Sequence, residues 1–524
     1  MLALKRILRT GFEYVEDWFD VIFGAKWNPF YQLGALGWFY YWIVVVSGIY
    51  LYIFFDTGVT QAYDSLEYLT HEQWYAGGIM RSLHRYASDA LVMMMMVHLL
   101  REFAMDRFRS SRWFAWFTGV PMLWFVFTAG ITGYWMVWDQ LAQYIAITTG
   151  ELFDSLPFFG EAIARNFLSD EKLSGRFFTL MVFTHIALPL FLLFIMWIHI
   201  QRHASPKVNP PKELAVGTLS MLLILSFIKP ALSQPAADLN IVPATVNLDW
   251  FYLPIYPLLN DVPGVTVWIV LVAATVFLML MPWMPPGKRE PVAVVHLDNC
   301  NGCSRCAADC PFSAIDMEPR SDGSVYKQEA VVDASHCTSC GICVGACPTA
   351  TPFRTKSELS PGIELPEDKI KELREKTIAA SNKLTGVDRV IVYGCQHSLD
   401  PAEIADTNVG VVTMPCIAML PPSFIDFVLS RKLADGVFLT GCREGDCSFR
   451  LGIKWTEARI VGERDPQLRK RVNQERIGRY WAGLTRRKEF FKELTAFRVR
   501  LNRLASMQTE KRTDTKENSE KVDA

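Results

Sequence analysis

At 524 residues the chain is too long for one hydrophobic core, so two to four domains are expected. A net charge of −1, with 20 % charged and 51 % hydrophobic residues, argues against a nucleic-acid partner. The average hides a division: residues up to about 285 are strongly apolar, whereas all twelve cysteines lie after residue 299.

In chain order, residues 1–30 mix Lys5, Arg6 and Arg9 with Leu, Phe and Trp and show no cleavable signal pattern, which predicts an amphipathic helix lying in a membrane interface. Apolar runs follow near 36–55, 79–100, 114–138, 177–200, 214–231 and 264–284. Each is close to the roughly 20 residues that cross a bilayer, and residues 31–286 are read as an all-α bundle of about six transmembrane helices. The loops 56–78 and 231–263 lack Lys and Arg, whereas Arg101, Arg107, Arg109, Arg112, Arg202, Lys207 and Lys212 cluster in the alternate connections. The positive-inside rule then places both chain ends in the cytoplasm.

Four of these spans carry one 14-residue step, His84/His98 and His185/His199 in two, Gly34/Gly48 and Gly119/Gly133 in the others. On a helix that step rises roughly 21 Å and returns to within about 40° of the same face. An ionisable side chain in lipid is costly and functional by default. Two stacked bis-histidine b haems in a four-helix core account for the pattern, His84 with His185 near the outer face and His98 with His199 near the inner face. The glycines are expected to clear bulk where each flat macrocycle passes. Arg81, Arg85, Arg101 and Arg202 flank the histidines and suit haem propionates, with interfacial snorkelling as the alternative.

Residues 290–356 repeat one pattern, Cys300, Cys303, Cys306, Cys310-Pro311 and Cys337, Cys340, Cys343, Cys347-Pro348. This is the two-cluster ferredoxin spacing, in which the fourth cysteine serves the other cluster. One [4Fe–4S] cluster is assigned to Cys300, Cys303, Cys306 and Cys347, the second to Cys337, Cys340, Cys343 and Cys310. A linker is expected over 357–387, and residues 388–507 are read as a small α/β domain. Its runs Val390–Tyr393, Val409–Val412 and Gly436–Thr440 read as buried parallel strands, followed by Cys395, Cys416, Cys442 and Cys447. Thiolates gathered at the carboxyl edge would hold one small cluster, a [2Fe–2S] centre; a zinc or redox pair is the alternative. Residues 508–524 are polar enough to be a frayed tail.

The membrane half resembles the cytochrome b of Rieske/cytochrome b complexes, closest to the split type of oxygenic photosynthesis. Arg81-Ser82-Leu83-His84-Arg85, the glycine pairs, Gly133-Tyr134 and Trp138-Asp139-Gln140 carry the resemblance. It continues into the small partner subunit of that type, whose quinol-site Pro-Glu-Trp-Tyr motif aligns with Leu248-Asp249-Trp250-Phe251, with aspartate for glutamate and leucine for proline. Residues 388–505 resemble the small iron–sulfur subunit linking methanogen hydrogenases to heterodisulfide reductase, through Thr440-Gly441-Cys442-Arg443-Glu444-Gly445-Asp446-Cys447. Here Cys395 stands where family members often carry two cysteines.

The resemblances imply a redox wire in a prokaryotic cytoplasmic membrane, running from outer haem through inner haem and ferredoxin clusters to a terminal cluster. The expected role is the electron-transfer subunit of a quinone-linked complex, dimeric as cytochrome b complexes are, with a cytosolic flavoprotein or heterodisulfide-reductase-like partner. The alternative is a conduit between an external and a cytosolic redox protein, without quinone chemistry. For the quinone reading Asp249 is the candidate proton acceptor of an outer site, against a purely anchoring role for the aromatic run beside it; a pocket near His203 is the inner alternative.

Overall fold

The computed structural model describes residues 2–157, 173–201, 206–285, 291–354, 360–483 and 485–520. They form two compact units. One comprises residues 1–5, 22–201 and 206–287; the other comprises 6–21, 202–205 and 288–524.

Helix α1 (Leu2–Phe23) opens the chain. In the first unit α2 (Leu33–Phe54), α3 (Gln61–His71), α4 (Ile79–Ala104), α5 (Trp113–Val137), α6 (Gln140–Asp154) and α7 (Gly175–Ile200) follow. They are succeeded by α8 (Lys212–Ile228), α9 (Ile255–Leu259) and α10 (Gly264–Leu280). The main pairings are α2 on α4 and α5 on α7. The core between helices holds Leu36, Tyr40, Leu83, Leu91, Val126 and Leu192. Outward faces stay apolar, as at Val46, Ile53, Leu190, Phe191 and Ile269, a pattern that suits lipid rather than water. Among the described residues four helices, within 29–54, 110–137, 175–200 and 264–283, are long and apolar enough to cross a membrane. Of the other two expected spans, α4 carries Arg81, Arg85, Asp89 and Arg101, and α8 is 17 residues long.

The Trp138-Asp139-Gln140 motif has a local mechanical role. Trp138 ends α5 in the left-handed conformation (φ 53°), and Asp139 caps α6 by accepting from the Ala142 N–H at 2.9 Å. Its other oxygen accepts from the Gln234 N–H at 2.9 Å, fixing the extended segment after α8.

In the second unit two small antiparallel pairs, β1 (Val294–Val295) with β4 (Ile363–Glu364) and β2 (Ile315–Pro319) with β3 (Gln328–Val332), frame the cysteine repeats. The short helices α11 (Arg305–Asp309) and α12 (Ile342–Ala346) pack on each other. Next, α13 (Ile370–Ser381) packs on a four-stranded parallel sheet, although its residues lie in the stretch expected as linker. That sheet contains β5 (Val390–Cys395), β6 (Val409–Met414), β7 (Gly436–Gly441) and β8 (Ile477–Trp481), in the order β6-β5-β7-β8. The first three coincide with the predicted strands. The edge strand β8, Ile-Gly-Arg-Tyr-Trp, lacks an apolar run and has no such signature. Helices α14 (Pro401–Ile404), α15 (Ser423–Ser430) and α16 (Gly452–Val461) complete the layer.

The final helix, α17 (Arg487–Glu520), continues through residues predicted to fray, where Lys, Glu and Arg are good helix formers. Residues 6–21 of α1 also belong to this unit. Rather than leaving its acidic face in solvent, α1 turns it onto two arginines. Arg443 donates to Glu16 at 3.1 Å and to the Glu13 carbonyl at 3.1 Å, and Arg486 pairs with Asp17 at 2.8 Å and Asp20 at 2.7 Å. The opposite face, with Ile7, Tyr14 and Trp18, is exposed.

One buried arginine ties the ferredoxin-like part to the sheet. Arg459 of α16 is 1 % exposed, donates to the Ala418 carbonyl at 2.8 Å and pairs with Asp309 of α11. Arg464 Nε donates to the same carboxylate at 2.6 Å. Removing one member of a buried pair leaves an uncompensated charge. Arg459→Met is therefore expected to lower the opening free energy of the β6 and β7 amides by about 3 kcal/mol, read by native-state hydrogen exchange. Unchanged protection would mean that Arg464 alone satisfies Asp309.

Candidate metal centres

The helix pairing sets each histidine of one helix against a glycine of its partner. A Cβ at Gly48 would stand 2.9 Å from His84 Cε1, and one at Gly133 2.9 Å from His185 Cε1. The equivalent distances are 3.3 Å for Gly119 to His199 and 3.9 Å for Gly34 to His98. The glycines thus seat the edges of the imidazoles themselves, a closer role than clearance for a macrocycle.

Three of the rings are also held by a fixed partner at Nδ1. His84 Nδ1 lies 3.0 Å from the Val44 carbonyl and 3.2 Å from Ser47 Oγ. His185 Nδ1 lies 2.9 Å from the Ala129 carbonyl and 3.3 Å from Thr132 Oγ1, and His199 Nδ1 is 3.1 Å from Thr118 Oγ1. A proton held at Nδ1 leaves the Nε2 lone pair for a metal, the arrangement by which ligating histidines are oriented. The ring centroids of His84 and His185 are 6.1 Å apart. Two metal–imidazole bonds of about 2 Å plus two ring radii come to about 6 Å, so an iron fits between them. Ser47-Gly48, Thr118-Gly119 and Thr132-Gly133 repeat one dipeptide, a signal available in the sequence beside the glycines themselves.

The arginines expected at haem propionates have protein partners. Arg81 is buried against Glu67 (3.5 Å), Thr70 and Ser233 (2.7 Å). Arg85 pairs with Asp89 and with Asp249 at 2.9 Å, and lies 4.9 Å over the Tyr134 ring. Arg101 lies 5.7 Å over the Tyr31 ring. Arg202 and His203 lie outside the described residues. Asp249 is buried, accepting from the Tyr134 hydroxyl and from the Phe251 N–H at 2.8 Å, while Trp250 and Phe251 beside it are exposed.

In the second unit Cys306 has Cys347, Cys303 and Cys300 as its charge neighbours. A cavity lined by Cys310, Cys337, Cys340 and Cys343, with Ala293, Val332 and Leu365, joins the other set. Burial pushes the thiols of Cys306 and Cys340 up to about 12, so bare thiolates are disfavoured and a bound iron would have to supply the compensating charge. Among the described residues no three His, Cys, Asp or Glu side chains close around a single-ion site. The Cys310, Cys337, Cys340 and Cys343 set is instead arranged about a cavity, as a multi-iron cluster requires.

The last four cysteines meet at the carboxyl edge of the parallel sheet. Cys395 ends β5, Cys442 follows β7, and their sulfurs are 3.5 Å apart. Strand order turns back between β5 and β7, the switch point where open α/β sheets place their ligands. Cys447 neighbours Cys416 and Cys442, whose hydrogen bonds hold its thiol well below the usual range. Gly452 makes the approach possible, since a Cβ there would lie 2.4 Å from Cys416 Sγ and 3.1 Å from Cys447 Sγ.

Bundle, oriented imidazoles and clustered thiols define the class as a multidomain membrane electron-transfer protein. In order along the chain it carries a cytochrome b/b6 domain at residues 19–203 and a 4Fe–4S dicluster domain at 299–351. A domain of the methyl-viologen-reducing hydrogenase delta subunit follows at 402–505. The chain is 26 % identical over 294 residues to the cytochrome b of Acanthamoeba castellanii, covering 49 % of this chain and 73 % of that protein. It is 24 % identical over 297 residues to that of Rhodospirillum rubrum (50 % and 71 %). For the cytochrome b6 of Prochlorothrix hollandica the identity is 28 % over 176 residues (33 % and 78 %). A solved chain titled hyperthermophilic respiratory Complex III aligns with TM-score 0.42 and 19 % identity, over 50 % of this chain and 77 % of that one.

Two outcomes are expected. Gly133→Ala should displace the His185 ring and weaken or shift one b-type absorbance while sparing the other, in reduced-minus-oxidised spectra of the purified protein; an unaltered spectrum would show that the glycine does not seat a haem ligand. Cys442→Ser and Cys447→Ser should remove the same paramagnetic signal, distinct from those of the ferredoxin clusters. Separate losses, or zinc in place of the extra iron, would break the four-cysteine assignment.

Proposed function

We propose that the chain is the membrane-bound electron-transfer subunit of a quinone-linked oxidoreductase complex. Electrons would pass between quinone, two b haems held by His84/His185 and His98/His199, two [4Fe–4S] clusters and a terminal [2Fe–2S] cluster. The clusters take Cys300, Cys303, Cys306 and Cys347; Cys337, Cys340, Cys343 and Cys310; and Cys395, Cys416, Cys442 and Cys447. The soluble partner is a cytosolic flavoprotein or heterodisulfide-reductase-like subunit, in keeping with the delta-subunit domain. In this reading α4 and α8 join the four long apolar helices as spans, both termini are cytoplasmic, the membrane is that of a prokaryote, and the complex is dimeric. The exposed stripe of Ile7, Tyr14 and Trp18 lies in the membrane interface.

The observation that carries the quinone assignment is the setting of Asp249. A carboxylate buried between Arg85 and Tyr134, with exposed aromatics beside it, can take a proton from a quinol hydroxyl while excluded from bulk water. Arg85 directly follows His84 in the chain and belongs to the same helix, so the proton acceptor is anchored to a haem-bearing turn. Tyr134 and Arg85 fix its orientation. The two bound haems would take the two electrons that quinol oxidation releases, one each. Asp249→Asn keeps the volume and removes the base, and is expected to slow quinol-driven haem reduction by roughly 10²-fold with both haem spectra intact. Unchanged reduction would leave an electron conduit between redox proteins as the function.

A further inference from the structure

Arg85 is shared by two buried carboxyl groups. Asp89, one helical turn further along α4, is 8 % exposed, and Asp249 is 7 % exposed. Arg85 pairs with both, through the same guanidinium nitrogen. Because both reach one guanidinium nitrogen, the two carboxyls are held side by side. The other titratable groups acting on Asp89 or its partners are phenols, Tyr86 on α4, Tyr134 on α5 and Tyr252 after the α8 segment. Tyr134 donates to Asp249, and Tyr252 donates to the Ser88 carbonyl at 2.9 Å, so neither brings positive charge. Arg85 is the cation of the group.

Two ionised carboxylates against one guanidinium would leave a net negative charge in a buried site. Like charges crowded onto one buried cation do not both ionise, and one of them keeps a proton. We propose that Asp89 and Asp249 form a proton-sharing carboxyl pair clamped by Arg85, and that Asp89 is a second proton-handling residue of this site. The pair holds one proton and presents one ionised oxygen toward an incoming quinol hydroxyl. When that hydroxyl gives up its proton to Asp249, the proton already shared can leave through Asp89. An i,i+4 ion pair with a purely structural purpose would need only Arg85 and Asp89; the arrival of Asp249 from a distant segment, on the same nitrogen, is what makes it a pair. The use of the pair rests on the quinone reading above, whereas its existence does not.

Infrared spectroscopy of the purified, cofactor-loaded full chain, without added quinone, separates the two. The wild-type-minus-Asp89→Asn and wild-type-minus-Asp249→Asn spectra at neutral pH should each show the carbonyl stretch of one protonated carboxylic acid, shifting in D2O. Each single variant should lose it, because the remaining carboxylate pairs one-to-one with Arg85 and ionises. Asp89→Glu should keep the band and controls for folding, together with the haem spectra. Difference spectra without the band, or with the band in only one of the two, would overturn the pair. On the same samples Asp89→Asn should slow quinol-driven haem reduction at least tenfold. With the band behaving as expected and that rate unchanged, the pair stands and its role toward quinol is overturned.

Discussion

The membrane unit depends on the absence of four side chains. Where α2 and α5 carry Gly48 and Gly133, the imidazoles of His84 and His185 rest against bare backbone with a helix carbonyl within reach of Nδ1. A helix carbonyl is already engaged by the amide four residues on, so it has one remaining lone pair to offer. The preceding Ser or Thr bends toward the same carbonyls, as Ser47 does to Ile43 and Val44 and Thr132 to Thr128 and Ala129. Ring position, tautomer and interhelical distance are thus one constraint. A methyl group at Gly48 or Gly133 disturbs all three at once.

The thiol-rich unit solves a different problem. Sulfur ligands are held by backbone, and the charge they bring must be balanced without flooding the site with water. The sheet does the first by ending β5 and β7 side by side at a switch point, which delivers Cys395 and Cys442 to one place without any special loop. The arginines nearby are already balanced, Arg443 by Glu16 and Arg459 by Asp309, so the charge of the thiolates is left to bound iron. Gly345, whose Cβ would fall 2.0 Å from the Ala418 carbonyl and 2.7 Å from Arg459, lets the ferredoxin-like helix α12 close onto this arginine.

What could be read from the sequence was what repeats locally. The 14-residue step and the paired CxxCxxCxxxCP runs are short-range spacings imposed by helix pitch and cluster size, and no tertiary knowledge is needed to see them. Three strands of the sheet were legible as apolar runs, and the fourth was not, because Gly478 and Arg479 interrupt the apolar residues of this edge strand. Asp249 was visible through its aromatic neighbours. Its partners were not: Tyr134 comes from α5, and Arg85 and Asp89, one turn apart on α4, look on that helix alone like a solvated ion pair. The acidic positions of α1 were similarly ambiguous, since Glu13, Glu16, Asp17 and Asp20 read as a solvent face until Arg443 and Arg486 arrive from the far end of the chain. Gly452 carries no signal at all beyond being a glycine near a cysteine.

That last meeting has a consequence for how the molecule is made. The contact between Glu16 and Arg443 closes a loop of 427 residues, and every residue of the bundle lies inside it. Loop-closure entropy grows only slowly with length, so the size of the loop is little thermodynamic obstacle. Timing is the obstacle. During synthesis the first helix must wait for Arg443 and Arg486 to emerge and for the parallel sheet to form. A C-terminal half expressed from residue 288 onward would lack the acidic helix that covers Arg443 and Arg486.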